Sequence, residues 1–266
     1  MAILNALIDN PRLVVQHRNI FLLSHMRANT SLFGHLIGSH PEVEGYYEMH
    51  IDYYSWKSLW RQKLRHFSGH RAKPGARFMF DKVLHEGHHV APEILRRETS
   101  RTIFMLREPG QSVKSLVALY RKRNPQLPEA EPQGATDYYV NRVRQLADIA
   151  EEIGPRYFYL DAERLISESG STLASLSKWL GLATPIPAEY DTFANTGRGN
   201  TGDHSARLKS GRIHHGRSDY SEIVLTPEQQ DAARDAYRSA RTRLIEGSAR
   251  SETNAEASPV AAPVEG

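Results

Sequence analysis

Residues 19–39 read NIFLLSHMRANTSLFGHLIGS, and the fold turns on them. The first seven are a near-continuous apolar run of strand length, which suits a strand buried on both faces. From Thr30 the spacing becomes helical, with Leu32, Phe33, Leu36 and Ile37 on one stripe. Between the two lies a short polar and basic turn. Strand, tight turn and helix form the repeating unit of a parallel α/β sheet. A helix starting at the carboxyl end of such a strand directs its free N–H groups and positive dipole end at whatever lies there. Arg27 adds a fixed positive charge, Asn29 is the non-glycine type that best tolerates a left-handed turn, and Thr30 and Ser31 add hydroxyls. The stretch lacks the Gly-x4-Gly-Lys-Ser/Thr of a triphosphate loop. Two readings stay open on these residues alone: a cradle for a phosphate or sulfate, and a capped helix with Arg27 in solvent.

The same unit recurs. In RTIFMLREPGQSVKS, residues 101–115, an apolar strand leads through Arg107 and Pro109 into a helix carrying Ser115. That spacing lets the Arg fork and the Ser hydroxyl converge on one anion. Residues 77–83 and 156–163 read as two more buried strands, and Val113, Leu116, Val117 and Tyr120 mark a helix over 111–123. The pattern predicts an α/β fold, a single domain with a central parallel sheet flanked by helices, over residues 1–246. Its last helix carries Thr226 as N-cap, Pro227 at the first position and Gln229 three residues after the cap. The final 247–266, rich in Ser, Ala, Glu and Pro without an aromatic residue, reads as a disordered tail. Three prolines within 123–136 predict a long surface connection or lid.

At 266 residues the chain is long enough for one sizeable core. A formal net charge of +3 is too small to indicate nucleic acid. The absence of cysteine excludes disulfides, a thiolate nucleophile and cysteine-ligated zinc. No stretch has the roughly 18 apolar residues of a membrane span, and the first residues lack a secretory pattern, so a cytoplasmic protein is expected. Nothing indicates an oligomer.

Taken together and in order, these motifs resemble those of the sulfotransferases that use 3'-phosphoadenosine 5'-phosphosulfate, in particular a cytosolic bacterial branch related to carbohydrate and small-molecule sulfotransferases. Their 5'-phosphosulfate loop reads Lys/Arg-Ser-Gly-Thr-Thr/Ser-Leu/Trp, matched here by Arg27, Ala28, Asn29, Thr30, Ser31 and Leu32. Their 3'-phosphate motif, Arg-x-Pro-x5-Ser, is matched by Arg107, Pro109 and Ser115. Residues 159–182 resemble the family's strand and helix ending in Trp-Leu-Gly-Leu, and GRGNTGDH, residues 197–204, resembles its late phosphate loop, with Arg198 and Gly199 as the matching residues. Ala28 and Asn29 depart from the usual Ser-Gly, Gly197 stands where the family has Arg, and His204 replaces its Trp.

The resemblance implies a P-loop-like fold and sulfuryl transfer from that nucleotide, as co-substrate, to a hydroxyl of a small-molecule, carbohydrate or lipid acceptor, with no metal. It implies Glu48 as the general base, with His50 as second choice, and assistance at the transferred group from Lys82 or His85. A carboxylate can act as base if burial raises its pKa, and neighbouring tyrosines offer burial; an imidazole titrates near neutrality unaided. Lys82 could alternatively pair with Asp81. Tyr46, Tyr47, Tyr53, Tyr54, Trp56 and Trp60 offer flat surface for an acceptor or pack under the sheet.

Three other readings compete. His85-Glu86-Gly87-His88-His89 fits the zinc-protease pattern His-Glu-x-x-His, but Gly87 within it and Pro92 after it oppose the helix that chemistry needs. A P-loop kinase would share the fold, with only Asp81 approximating a Mg²⁺-binding strand end. A binding module without activity is the third. RIHHGR, residues 212–217, reads as a basic loop.

Overall fold

The apolar runs become the middle of a sheet. The computed structural model describes residues 11–193, 196, 207–216 and 218–254. Its strands are β1 (Arg18–Ser24), β2 (Val43–Glu44), β3 (Phe78–Val83), β4 (Ser100–Leu106), β5 (Tyr157–Asp161) and β6 (Arg250–Glu252). They lie in the order β2-β3-β1-β4-β5-β6 with every pairing parallel. The longer helices are α1 (Thr30–Ser39), α2 (Trp56–Phe67), α3 (Pro109–Arg123), α4 (Pro132–Ile153), α5 (Ser169–Leu180) and α6 (Pro227–Glu246). The chain is thus a single α/β domain of the expected class.

Alternation along the central strands explains why their apolar runs are unbroken. Ile20 and Leu22 of β1 join Phe78, Phe80, Ile103 and Met105 in one core, closed by Phe33 and Leu36 of α1 and Leu173 and Leu176 of α5. Phe21, Leu23, Met79 and Phe104 point the other way, into a second core closed by α3, α4 and α6. Both faces are covered, so both phases of the strand must be apolar.

β1 lies between β3 and β4, and the helices after β1 and β4 cover opposite faces. The crevice at the carboxyl ends of β1 and β4 is therefore the topological switch point where ligands bind in open sheets of this kind. Arg142 of α4, fully buried, ties strand ends together there: Nε donates to the Ser24 carbonyl at 2.9 Å and Nη2 to the Val83 carbonyl at 2.7 Å. On the other face α1 passes so close to the next segment that a Cβ on Gly34 would overlap the Tyr46 carbonyl.

Two boundaries differ from expectation. The tail does not begin at 247, because residues 250–252 form β6 on the edge of β5. Backbone pairing and polar anchors hold it: Asn254 N–H donates to Asp161 Oδ2 at 2.8 Å, and Arg164 Nη2 meets Glu252 Oε2 at 3.0 Å. Residues 255–266 lie outside the described residues. The predicted connection over 123–136 is shorter, since Pro132 is the first residue of α4 and residues 128–130 make a 3-10 turn. α6 starts as predicted, with reciprocal bonds between Thr226 and Gln229 of 3.0 and 3.3 Å.

Candidate active site

The turn from β1 into α1 is built on two left-handed residues, Asn29 with φ 58° and Arg27 with φ 66°. Asn29 was legible as the left-handed position. Arg27 was not, because no sequence rule favours arginine there. Asn29 does not cap its own helix; its amide Nδ2 donates to the Ala162 carbonyl at 3.3 Å. The first N–H groups of α1 have no carbonyl ahead of them in the helix, so they face the crevice with the positive end of the dipole. Ala28 is fully buried and packs in the core under α1. Thr30 is buried and Ser31 half-buried at the rim.

The second motif closes on the first. Arg27 Nε donates to Ser115 Oγ at 2.8 Å, and Arg107 Nη1 donates to the Arg27 carbonyl at 2.9 Å. His25 fixes the start of the Arg107 turn. Its Nε2 accepts from Arg107 N–H at 3.0 Å, and Nδ1 lies 2.8 Å from the Met26 carbonyl, so the proton sits on Nδ1. Complete burial pushes the His25 pKa down to about 3, which keeps the ring neutral and able to accept. Arg107 is pulled below the ordinary arginine range by burial, with Glu163 at 4.0 Å acting the other way.

These residues open onto one cavity of about 680 Å³, within the usual range for a small-molecule site. Arg27, Asn29, Thr30, Ser31, Arg107 and Ser115 line it. Arg207, Arg212, His214 and His215 also line it, with Tyr190, Tyr220 and Glu163. The segment read as a basic loop is thus part of the cavity wall. Its basic composition was visible, but only the fold brings it to the cavity that Arg107 lines. Tyr220 was missed altogether; its hydroxyl lies 2.9 Å from Ser115 Oγ. Arg198 and Gly199 lie outside the described residues.

Lys82, Glu48, His50 and His85 do not line this cavity; Lys82 touches it at Ser31, and Glu48 sits in a separate cluster with the two histidines. Lys82, buried at the end of β3, points its ammonium to Ser31 Oγ at 3.4 Å. Asp81 faces the opposite side of the strand, where its carboxylate takes the Tyr53 hydroxyl at 2.5 Å and the Met49 N–H at 3.0 Å. Asp81 is therefore committed to holding the segment that carries Glu48, and burial pushes its pKa up to about 7. Glu48 itself is buried, and its Oε1 has no hydrogen-bond partner. His50 Nδ1 and His85 Nε2 each lie 3.8 Å from that oxygen. His50 has φ 51°, a third left-handed non-glycine residue at this site. Burial lowers the His85 pKa, opposed by Glu48.

Residues 85–89 form a turn in place of a helix, so His85 and His89 do not share a helix face. No group of three or more His, Cys, Asp or Glu among the described residues is arranged to hold a metal ion. Of the aromatic residues after β2, Tyr46, Tyr47 and Tyr53 are core, and Tyr54, Trp56 and Trp60 are exposed.

Solved structures share this architecture. The sulfotransferase domain from the curacin biosynthetic pathway is 15% identical, covers 85% of this chain and 98% of its own length, and superposes with TM-score 0.58. The sulfotransferase domain from the olefin synthase of Synechococcus PCC 7002 gives 17%, 85%, 96% and 0.55. A sulfotransferase from Alicyclobacillus acidocaldarius gives 14%, 87%, 96% and 0.52. No family model matches the chain, and no curated protein sequence does. These superpositions, over nearly the whole length of each structure, show that the chain has the sulfotransferase fold.

Proposed function

We propose that the protein transfers a sulfuryl group from 3'-phosphoadenosine 5'-phosphosulfate to a hydroxyl of a small-molecule, carbohydrate or lipid acceptor. The observation that carries this reading is the convergence of the two anion motifs: Arg27 bonds Ser115 directly, and both share a cavity with Arg107 and the start of α1.

The cradle fits the 5' end of the donor in its chemistry. Uncapped N–H groups, the Thr30 and Ser31 hydroxyls and Arg27 suit a phosphosulfate. Arg107 and Ser115 suit the 3'-phosphate, and Arg207 and Arg212 supply further charge to the same cavity. Arg198 and Gly199 belong to this proposed set through the resemblance of their loop.

In the transfer, Glu48 takes the proton of the acceptor hydroxyl as its oxygen forms the new bond to sulfur. The sulfur–oxygen bond to the nucleotide breaks, and its electron pair leaves on the 5'-phosphate. Lys82 and the α1 N–H groups stabilise charge on the sulfuryl and leaving oxygens, positioning and electrostatics being the main requirement, as in phosphoryl transfer. His50 and His85 flank Glu48 and are the alternative proton acceptors.

The test is a melting experiment with 3',5'-adenosine bisphosphate, followed by an acceptor screen read by mass spectrometry for sulfate gain. Stabilisation by the bisphosphate is expected. Stabilisation by ATP with Mg²⁺ and none by the bisphosphate would point instead to a kinase. Asp81 gives that alternative little support, being engaged by Tyr53 and Met49.

A further inference from the structure

Large apolar side chains reach the surface in few places on this protein, and most of those places adjoin one helix. Among the described residues seven such side chains are exposed, and five of them, Val14, Val15, Tyr54, Trp56 and Trp60, lie in or beside α2. Tyr54 precedes the helix by two residues. Val14 ends a 3-10 turn that packs against it, and Lys63 Nζ donates to the Val15 carbonyl at 2.6 Å. Their exposures run from 37% at Trp60 to 66% at Val14. Single apolar residues on a surface are ordinary, but five gathered at one helix form a patch of the kind that marks an interaction site.

The charges on α2 are sorted with respect to that patch. The helix reads WKSLWRQKLRHF, without an acidic residue. Each residue turns a helix by about 100°, so residues four apart drift by only about 40° and fall into stripes. One stripe is Trp56, Trp60 and Leu64, and the next around the helix is Lys57, Arg61 and Arg65, all three exposed. Ser58, Gln62 and His66 follow as the buried stripe. Leu59, Lys63 and Phe67 complete the circle between that stripe and the tryptophans, on the side of Val15, where the Lys63 ammonium lies 5.6 Å from the Trp60 ring centroid. The outer surface is thus an apolar band of indoles and valines with a row of cations along one edge.

That sorting selects the partner. A charged polymer would engage the cations and leave the band in water. An apolar protein face would cover the band and leave a row of bases unpaired. An anionic membrane surface takes both: indoles settle at headgroup level, valines reach the acyl boundary, and the bases at the edge meet anionic headgroups.

We infer that α2 and the turn before β1 form a docking face for membranes that carry anionic lipids. Arg65, at the end of the cationic row, donates to the Met49 carbonyl and, at 3.4 Å, to the His50 carbonyl, so docking sets the segment that carries Glu48 beside the lipid surface. The docking does not rest on the sulfotransferase reading.

The test is binding of the whole protein to phosphatidylcholine vesicles with and without phosphatidylglycerol, followed by sedimentation and by tryptophan emission. Vesicles with phosphatidylglycerol should bind about tenfold more tightly, with a blue shift of emission, and high salt should erase the preference. Lys57→Ala/Arg61→Ala should lose most of that preference. Trp56→Ala/Trp60→Ala should weaken vesicle binding about tenfold and abolish the shift, because the remaining Trp179 packs on the other core. Melting verifies the fold of this variant, and Val14→Glu, outside the helix, should weaken vesicle binding about fivefold without touching α2. No vesicle binding, equal binding of the two vesicles, or undiminished binding by both the tryptophan and Val14 variants would each overturn the inference. Inorganic polyphosphate bound more tightly than vesicles, with the tryptophan variant unaffected, would make the face a polyanion site instead. A dimer broken by the tryptophan variant, with no vesicle binding, would make it a contact between copies. Vesicle binding by a protein that ignores 3',5'-adenosine bisphosphate would remove the transferase reading and leave the docking face standing; bisphosphate binding without vesicle binding would do the reverse.

Discussion

Arg107 is held at three points: Tyr139 OH donates to its carbonyl at 2.6 Å, its N–H goes to His25, and its guanidinium spans to the Arg27 carbonyl. The first two fix its backbone and the third its guanidinium, so the residue loses less entropy on meeting an anion than a free arginine would. Arg107→Ala should weaken binding of 3',5'-adenosine bisphosphate by about 2 to 4 kcal/mol, as for loss of a charge-assisted clamp, measurable by calorimetry. Glu48→Ala should abolish turnover while that binding is retained. Turnover at the parent rate in this variant would transfer the base role to His50 or His85. Asp81 makes a prediction about pH. Its pKa rises from 3.8 to about 7 on folding, so the folded state prefers the protonated form. Its contribution is full below about 4 and is lost as pH rises through 7. The melting temperature should fall between about pH 4 and 7, and Asp81→Asn, which cannot ionise, should flatten that limb. An equally steep fall in the variant would assign it to other groups.

At the scale of elements, the site depends on how the ends of β1 and β3 are held. Arg142 reaches from α4 to the carbonyls of Ser24 and Val83, the residues just before the His25 and Leu84 turns. Arg142→Met keeps the stem and removes these donors, leaving two buried carbonyls bare at about 1 to 3 kcal/mol each. Urea unfolding should register the loss, and a parent-like midpoint would mean that the carbonyls find other donors. Nothing in the sequence marked Arg142: α4 has an amphipathic pattern in which an arginine reads as surface. Its burial follows from strand ends meeting the helix. The β1–α1 unit was the opposite case. Its apolar run, polar turn and helical stripe are local signals, and each formed within a residue or two of the expected place.

Over the whole molecule, α6 and the residues after it close one edge of the sheet. Asp161 at the end of β5 is paired with Arg241 of α6 at 2.8 Å and bonded by the Asn254 N–H. Deleting all residues after Glu246 removes β6, exposes the β5 edge and leaves Asp161 with fewer partners. A lower melting temperature is expected, and an unchanged one would show that β6 contributes nothing. The same scale governs the site. Arg27 and Ser115 are 88 positions apart and yet bonded. They meet because β1 and β4 are parallel neighbours, so the turns that leave their carboxyl ends lie side by side.

The strands, the helices that follow them, the left-handed Asn29 and the polar, basic turns after β1 and β4 are written in local periodicity, turn chemistry and spacing. The edge strand β6, the buried Arg142, the place of residues 207–216 in the cavity wall and the Glu48 oxygen without a hydrogen bond were decided by packing. Those features depend on which distant groups arrive beside them. Burial, pairing and the gathering of distant charged residues around one cavity are properties of the packed sheet, and no window of residues carries them.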